Sequence, residues 1–331
     1  MRFIIFGAGA IGGTIGGRLA LGGYDVLFVD LPGPTQTIRE QGLRLVTTQG
    51  EHTLRLPAVT SAEQIDFQPD DVVFLCVKSQ HTQAVLEDLS AATEEVPLFC
   101  IQNGVRNEEM ATRHFDQVYG VMIRGAGVCL KDGEVVSVLD PPGVCIVGRF
   151  PEGVDERVRS VAEALREVGY GVRLVPNVMQ YKWGKLIRNL QNAPRAITNE
   201  ADEGTQRIIE AARAEARRIL KQADVDWIPQ ERLEKEWDAL EIRSRVDIQS
   251  LGSTWQSLTR GGGTAEAEYL SGEIVRVAEH MGIDAPINRE LTRIVMDMAA
   301  HREAPGRYTS AELAVLLNLK DDGAEESETA E

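Results

Sequence analysis

The sequence predicts an α/β protein with an N-terminal doubly wound parallel sheet over residues 1–175 and an all-helical domain over 176–320. Three observations predict it. An apolar run from Met1 to Phe6 meets the turn Gly7-Ala8-Gly9-Ala10-Ile11-Gly12, and a second apolar run closes on Asp30. Strand-like and helix-like segments then alternate, as they do when parallel strands are joined by helical crossovers. Beyond Pro176 the spacing of apolar residues becomes three to four and stays so.

RFIIF reads as the first strand and AIGGTIGGRLA as the first helix. Gly7 permits a tight strand-to-helix turn, Gly9 lets a pyrophosphate approach the backbone with no side chain in the way, and Gly12 lets the helix lie close on the sheet. The amides of this turn, from Gly7 through Ala8, Gly9, Ala10 and Ile11 to Gly12, surround a helix N-terminus, where unpaired N–H groups and the dipole favour phosphate. With Asp30 following at the required interval, the segment has the layout of a Rossmann-type dinucleotide-binding unit. Asp30 ends the strand YDVLFVD. Its carboxylate is placed to accept hydrogen bonds from the ribose hydroxyls and to repel a 2′-phosphate, which argues for NAD over NADP. The other reading is that Asp30 starts the turn LPGP.

Next, GLRLVTTQGEHTLRLPAVT reads as a hairpin, and DVVFLCVKS and VPLFCIQNG as buried strands around the helix HTQAVLEDLSAAT. VYGVMIRGAGVCL, EVVSVLD and GVCIVGR are further β segments, two of them flanking the turn Lys131 to Gly133. DERVRSVAEALREVG is helical, and VRLVPNV is the last convincing strand. Amphipathic helices follow at QYKWGKLIRNLQNA, TQRIIEAARAEARRILKQA, GTAEAEYLSGEIVRVAEHMG and INRELTRIVMDMAAHRE. Residues 321–331 are acidic and lack apolar residues larger than Ala, so a disordered tail is expected.

With 35 Lys+Arg against 51 Asp+Glu, the net charge of −16 opposes nonspecific binding to nucleic acid or anionic membrane. No apolar run is long enough to span a bilayer, and the chain enters its first strand without a charged leader segment, so a cytoplasmic protein is expected. Cys76, Cys100, Cys129 and Cys145 lie in apolar strand-like runs and read as small buried hydrophobes in a reducing compartment. His52, His81, His114, His280 and His301 form no HxxxH or HExxH pattern, and no metal is expected.

Over nearly its whole length the sequence resembles the ketopantoate reductase (2-dehydropantoate 2-reductase) family. The resemblance rests on GAGAIGG at Gly7 to Gly13, VKS at Val77 to Ser79, QNG at Gln102 to Gly104, KWGKLIRN at Lys182 to Asn189, and TAEAEYLSGEIV. It implies reduction of a 2-keto acid to a 2-hydroxy acid with hydride from a nicotinamide. Lys185 is then the general acid, a role suited to an ammonium that stabilises the developing alkoxide. Lys182, a turn earlier, would share its face and lower its pKa; the plain alternative is a solvated lysine face. Glu266 corresponds to the acidic partner, with Glu268 competing. Asn103 corresponds to the asparagine that contacts substrate and nicotinamide ribose, Lys78 to a cofactor contact, and Ala126 falls where the chain passes the nicotinamide. Asn189, Asn192, Ser253 and Thr254 correspond to substrate contacts.

The chain also departs from the family pattern. The second asparagine is expected at Ala193, and Asn192 stands one position early, about a 100° rotation on a helix; either the helix breaks before Pro194 or that contact is missing. Leu258 stands where an aspartate is expected, which predicts a less polar pocket. Two alternatives follow: an NAD-dependent D-2-hydroxy acid dehydrogenase for a branched or aromatic acid, and a non-catalytic NAD-binding redox sensor, which would need neither Lys185 nor Glu266. The long amphipathic helices predict a homodimer.

Overall fold

The computed structural model describes residues 1–125, 127–137, 139–238, 243–244 and 252–319. In chain order, β1 (Arg2–Phe6) leads to α1 (Ala10–Leu21), β2 (Asp25–Val29) to α2 (Pro32–Gln41), and a hairpin of β3 (Leu43–Thr47) and β4 (Gly50–Leu54) to β5 (Ala58–Val59). Then come β6 (Asp71–Leu75), α3 (Thr82–Ala92), β7 (Leu98–Cys100), α4 (Asn107–Ala111), β8 (Val118–Gly125), β9 (Gly127–Lys131), β10 (Glu134–Ser137), β11 (Leu139–Asp140) and β12 (Gly143–Arg149). After α5 (Glu156–Glu167) and β13 (Gly171–Leu174) the chain enters α6 (Val178–Asn189), α7 (Asn192–Thr198), α8 (Glu203–Gln222), α9 (Gln230–Asp238) and the short β14 (Arg243–Ser244). Last are α10 (Ser253–Thr259), α11 (Ser271–His280), α12 (Pro286–Ala300) and α13 (Ser310–Leu316).

The main sheet has the order β13-β12-β8-β7-β6-β1-β2-β5, with all neighbours parallel except β12 against β8. Its central strands are buried on both faces, which is why they read as continuous apolar runs. Phe3 and Ile5 join Phe28, Phe74 and Phe99 on one face, against α1 and α5. Ile4 and Phe6 join Val73, Leu75 and Leu98 on the other, against Leu86 and Leu89 of α3. The direction of winding reverses at β1, which pairs with β2 on one side and β6 on the other. The crevice at the C-terminal ends of β1 and β6 is therefore the switch point where open α/β sheets bind ligands.

The predicted hairpin forms, and it gains a partnership that its own residues do not announce. β3 pairs in parallel with β10, giving a second sheet in the order β4-β3-β10-β9. α1 lies between the two sheets and has room because it is glycine-rich: a Cβ on Gly16 would stand 2.6 Å from Phe28, and one on Gly13 2.6 Å from Val135. The stretch VYGVMIRGAGVCL, which reads as one β segment, is split between the sheets, β8 in the first and β9 in the second.

The chain divides into two compact units, Met1–Leu186 with Trp227–Ile248, and Ile187–Asp226 with Gln249–Glu331. The division falls inside α6. Within the stretch of helical periodicity, α9 returns to the sheet unit and buries Leu233 and Trp237 against Met122, Val144 and Tyr181. GTAEAEYLSGEIV is not one helix: Glu266–Tyr269 form a 3₁₀ turn, Leu270 breaks it at φ −116° and ψ −92°, and α11 starts at Ser271. In the helical unit, Glu215 of α8 accepts from the amides of Ile287 and Asn288 at 3.0 and 2.8 Å, satisfying donors that the start of α12 leaves over. The acidic stretch 321–331 lies outside the described residues.

Candidate active site

The turn between β1 and α1 presses on the end of β6. Gly7 has φ +98°, and a Cβ there would stand 2.9 Å from the Val77 amide nitrogen. On Gly12 a Cβ would meet the Gly7 carbonyl oxygen at 1.9 Å, whereas on Gly9 it would meet nothing within 4 Å. The amides of Ala10, Ile11 and Gly12, the first turn of α1, have no intrahelical acceptor. An open approach at Gly9 and these N–H groups fit the pyrophosphate of a dinucleotide.

Asp30 ties this turn to β2. Its Oδ2 accepts from the Ala8 amide at 2.6 Å and its Oδ1 from the Leu31 amide at 2.7 Å. Burial pushes the carboxyl up, and those two N–H groups pull it back. The segment LPGP is the start of α2 and not a turn headed by Asp30, and each Asp30 oxygen keeps a lone pair for a ribose hydroxyl.

At the ends of β6 and β7 a buried polar network fixes the Asn103 backbone. The Asn103 carbonyl accepts from Ser79 Oγ at 3.0 Å and from Asn107 Nδ2 at 2.8 Å. Thr82 Oγ1 donates to Asn107 Oδ1 at 2.8 Å and accepts from Gln102 Nε2 at 2.7 Å. Lys78 heads the short turn Ser79–His81, its carbonyl accepting from the His81 amide at 2.8 Å. Sequence reasoning singled out Asn103 and Lys78 but not their supports. The signal was the run of small polar residues directly after each apolar strand, in VKSQHT and QNGVRN.

The two lysines of α6 have different fates. Lys182 is buried in an ion pair with Glu108 of α4, the side chains being 2% and 0% exposed, and it also reaches the Cys100 carbonyl at 3.4 Å. Burial pushes the Glu108 carboxyl up, against the pull of the Lys182 ammonium. The expectation that Lys182 stands as a like charge beside Lys185 is therefore corrected, because Lys182 is engaged by Glu108. Lys185 turns to β8 and donates to the Ile123 carbonyl. Ile123 lines a shallow recess with Ala10, Ile11, Thr14, Gly125 and Tyr170, so Lys185 and the start of α1 adjoin one recess of the sheet unit.

The helical unit holds the remaining sequence-predicted residues. Asn189 ends α6 and α7 begins at Asn192, so the helix is broken before Pro194. The break is tight, with Leu190 donating to the Ile187 carbonyl at 3.3 Å and Gln191 to that of Arg188 at 3.4 Å. Buried Arg213, which sequence reasoning missed, closes it by donating to the Arg188 carbonyl at 3.0 Å and to Gln191 Oε1 at 3.1 Å. Pro194 falls in the first turn of α7, where its missing N–H is harmless. Asn192 Nδ2 lies 3.4 Å from Ser253 Oγ. Ala193 and Leu258 are both in the unit's core with Ala196 and Leu291. Leu258, expected to line a pocket, is 3% exposed and packs internally, a correction that follows from its place on the inner face of α10. Thr254 and Glu266 are buried, whereas Glu268 is exposed. Ala126 lies outside the described residues.

Among the described residues, Asp297, His301 and Glu303 bring ligand-type atoms together. Arg307 occupies that place, 2.5 Å from Asp297 and 3.5 Å from Glu303. Cys100 and Cys145 are buried free thiols, and burial pushes Cys145 up to about 12, as befits packing residues rather than nucleophiles.

Sequence comparison matches residues 3–152 to the family described as ketopantoate reductase PanE/ApbA, and residues 177–299 to its C-terminal part. A 2-dehydropantoate 2-reductase of Archaeoglobus fulgidus is 30% identical over 305 residues, which cover 89% of this chain and 96% of that protein. This chain belongs to the ketopantoate reductase family. It is an oxidoreductase, and its family implies a pyridine nucleotide cofactor. The crystal structure of a PanE/ApbA family ketopantoate reductase from Ralstonia eutropha superposes with a TM-score of 0.76 at 26% identity, covering 91% of this chain and 99% of that one. A D-mandelate dehydrogenase in ternary complex with NADH and anilino(oxo)acetate has the same fold, with a TM-score of 0.78 at 20% identity and the same coverage. Among the described residues no helix is long and apolar enough to cross a membrane.

Proposed function

We propose that this enzyme transfers a hydride between a nicotinamide dinucleotide, NAD in preference to NADP, and a 2-keto or 2-hydroxy acid, with Lys185 as general acid. The observation that carries the reading is the Lys185 ammonium on the Ile123 carbonyl, beside the recess that Ala10 and Ile11 share. When bound, the nicotinamide supplies or accepts the hydride. The open approach at Gly9 and the amides of Ala10, Ile11 and Gly12 hold the phosphates, and Asp30 takes the ribose hydroxyls and opposes a 2′-phosphate. Lys78 and Asn103 contact the cofactor, and Asn103 also the substrate. Lys185 gives its proton to the substrate's carbonyl oxygen and stabilises the charge that develops there. Asn189, Asn192, Ser253 and Thr254 hold the acid, a role supported for Asn192 and Ser253 by their proximity. Glu266 is the acidic partner; its burial, against the exposure of Glu268, supports the choice.

Lys185→Ala removes the proton donor and the stabilising charge together, so kcat is expected to fall by about 10²–10⁴-fold. NADH affinity should barely change. A Lys185→Ala enzyme that turns over normally would refute the assignment. The second reading is a D-2-hydroxy acid dehydrogenase for a branched or aromatic acid, supported by the fold shared with D-mandelate dehydrogenase. Ranking ketopantoate, ketoisovalerate and phenylglyoxylate by kcat/KM separates the two, and a wide lead for ketopantoate retires the second. A homodimer is part of the proposal, supported by the exposed Met281, Val315 and Leu316 of the helical unit, and sedimentation equilibrium tests it. The free thiols favour a reducing, cytoplasmic setting.

A further inference from the structure

A second carboxylate stands near the Asp30 end of β2, brought there by the small sheet. The β9–β10 turn, Lys131-Asp132-Gly133, seats on α2. Gly133 has φ +70°, and a Cβ on it would stand 2.6 Å from Thr37 Cγ2. One turn earlier on α2, a Cβ on Gly33 would stand 3.1 Å from Asp132 Oδ2. The Asp132 carboxylate thus lies against the first turn of α2, three residues past Asp30 in the chain. The two acids feel each other: the charge of Asp132 adds to the burial that pushes the Asp30 carboxyl up, while His81 acts in the opposite sense.

The start of α2 is poorly equipped to receive a phosphate. A helix N-terminus ordinarily attracts anions through its unpaired N–H groups. Here Pro32 and Pro34 remove two of those donors, the Thr35 amide is engaged by the Leu31 carbonyl at 3.1 Å, and Asp132 already brings negative charge.

We propose that Asp132 is a specificity-determining residue for the dinucleotide: from the turn of the second sheet it joins Asp30 in making the surroundings of the ribose 2′ position doubly negative, and so discriminates against a 2′-phosphate. This rests on the reading of the Gly7–Gly12 turn as the dinucleotide site.

The test is direct binding. NADH and NADPH are titrated separately into the full-length wild type, Asp132→Asn and Asp30→Asn, with protein-to-nicotinamide energy transfer as the signal, at low and at high salt. Asp132→Asn should lower the ratio of the NADPH Kd to the NADH Kd by about three- to tenfold at low salt, the Coulomb effect of one exposed charge on a dianion. The change should lie in NADPH alone and shrink at high salt. Asp132 is exposed, so folding is not at stake. An unchanged ratio in Asp132→Asn beside a shifted one in Asp30→Asn overturns the role of Asp132 and leaves the dinucleotide site standing. Equal tightening of both nucleotides overturns it too. Failure of the wild type to bind either nucleotide overturns the underlying reading and this one with it.

Discussion

Lys182→Met removes a buried ammonium while keeping most of the side-chain volume that fills its slot. In the native protein that ammonium faces Glu108, with the two side chains 2% and 0% exposed, and Glu108 Oε2 has no hydrogen-bond partner among the described residues. Without Lys182, the carboxylate is left in the interior with one acceptor already unsatisfied. Breaking a buried pair from one side costs about 3–5 kcal/mol, far more than the loss of a surface pair. For a unit of this size that lowers Tm on the order of 10 °C.

The loss also carries a pH signature. Burial raises Glu108, and Lys182 is what opposes the rise. In the variant the folded-state value climbs further, and a carboxyl whose folded value lies above its unfolded value, about 4.3, loses stability as pH rises between the two. The deficit of Lys182→Met relative to wild type should therefore grow as pH rises and shrink as pH falls, because Glu108 then takes up a proton and its charge disappears. The double variant Lys182→Met/Glu108→Leu should recover much of the loss, because neither charge is then buried. Urea midpoints at a series of pH values measure all three proteins. A deficit under about 1 kcal/mol that does not vary with pH would refute the account of a buried, mutually dependent pair.

Gly12→Ala places a Cβ 1.9 Å from the Gly7 carbonyl oxygen and 2.8 Å from Cys76 Cβ, so the turn must move; a stability loss of about 1–3 kcal/mol and a weaker NADH Kd are expected by thermal melting and titration, and an unperturbed variant would disprove the close packing. Glu215→Gln substitutes an amide for a carboxylate that accepts from Ile287, Asn288 and the Asn288 side chain, at a cost of about 1.5–3 kcal/mol, read as a lowered urea midpoint of the helical unit.

The sequence by itself determined the strands of the main sheet, the dinucleotide-type turn and most of the helices. These are local matters. Strands buried on both faces must be apolar throughout, Gly7 and Gly12 announce a turn that no other residue can make at that spacing, and amphipathic helices carry their period wherever they end up. Lys185, Asn103 and Glu266 were singled out through the motifs around them.

Tertiary structure alone decided what depends on partners distant in the chain. The parallel pairing of β3 with β10 is set by the stacking of both hairpins over α1, and no periodicity in either hairpin encodes it. Lys182 has the same local sequence signature as Lys185, yet one meets Glu108 and the other the Ile123 carbonyl, because α6 spans the ends of two different strands. Asn192 and Ala193 differ by one position, and only the break that Arg213 closes turns the first towards Ser253 and the second into the core. Leu258 read as a pocket substitution, and packing made it a core residue. A side chain's chemistry is written in its own codon, but its role is set by which group the fold places within hydrogen-bonding or van der Waals reach.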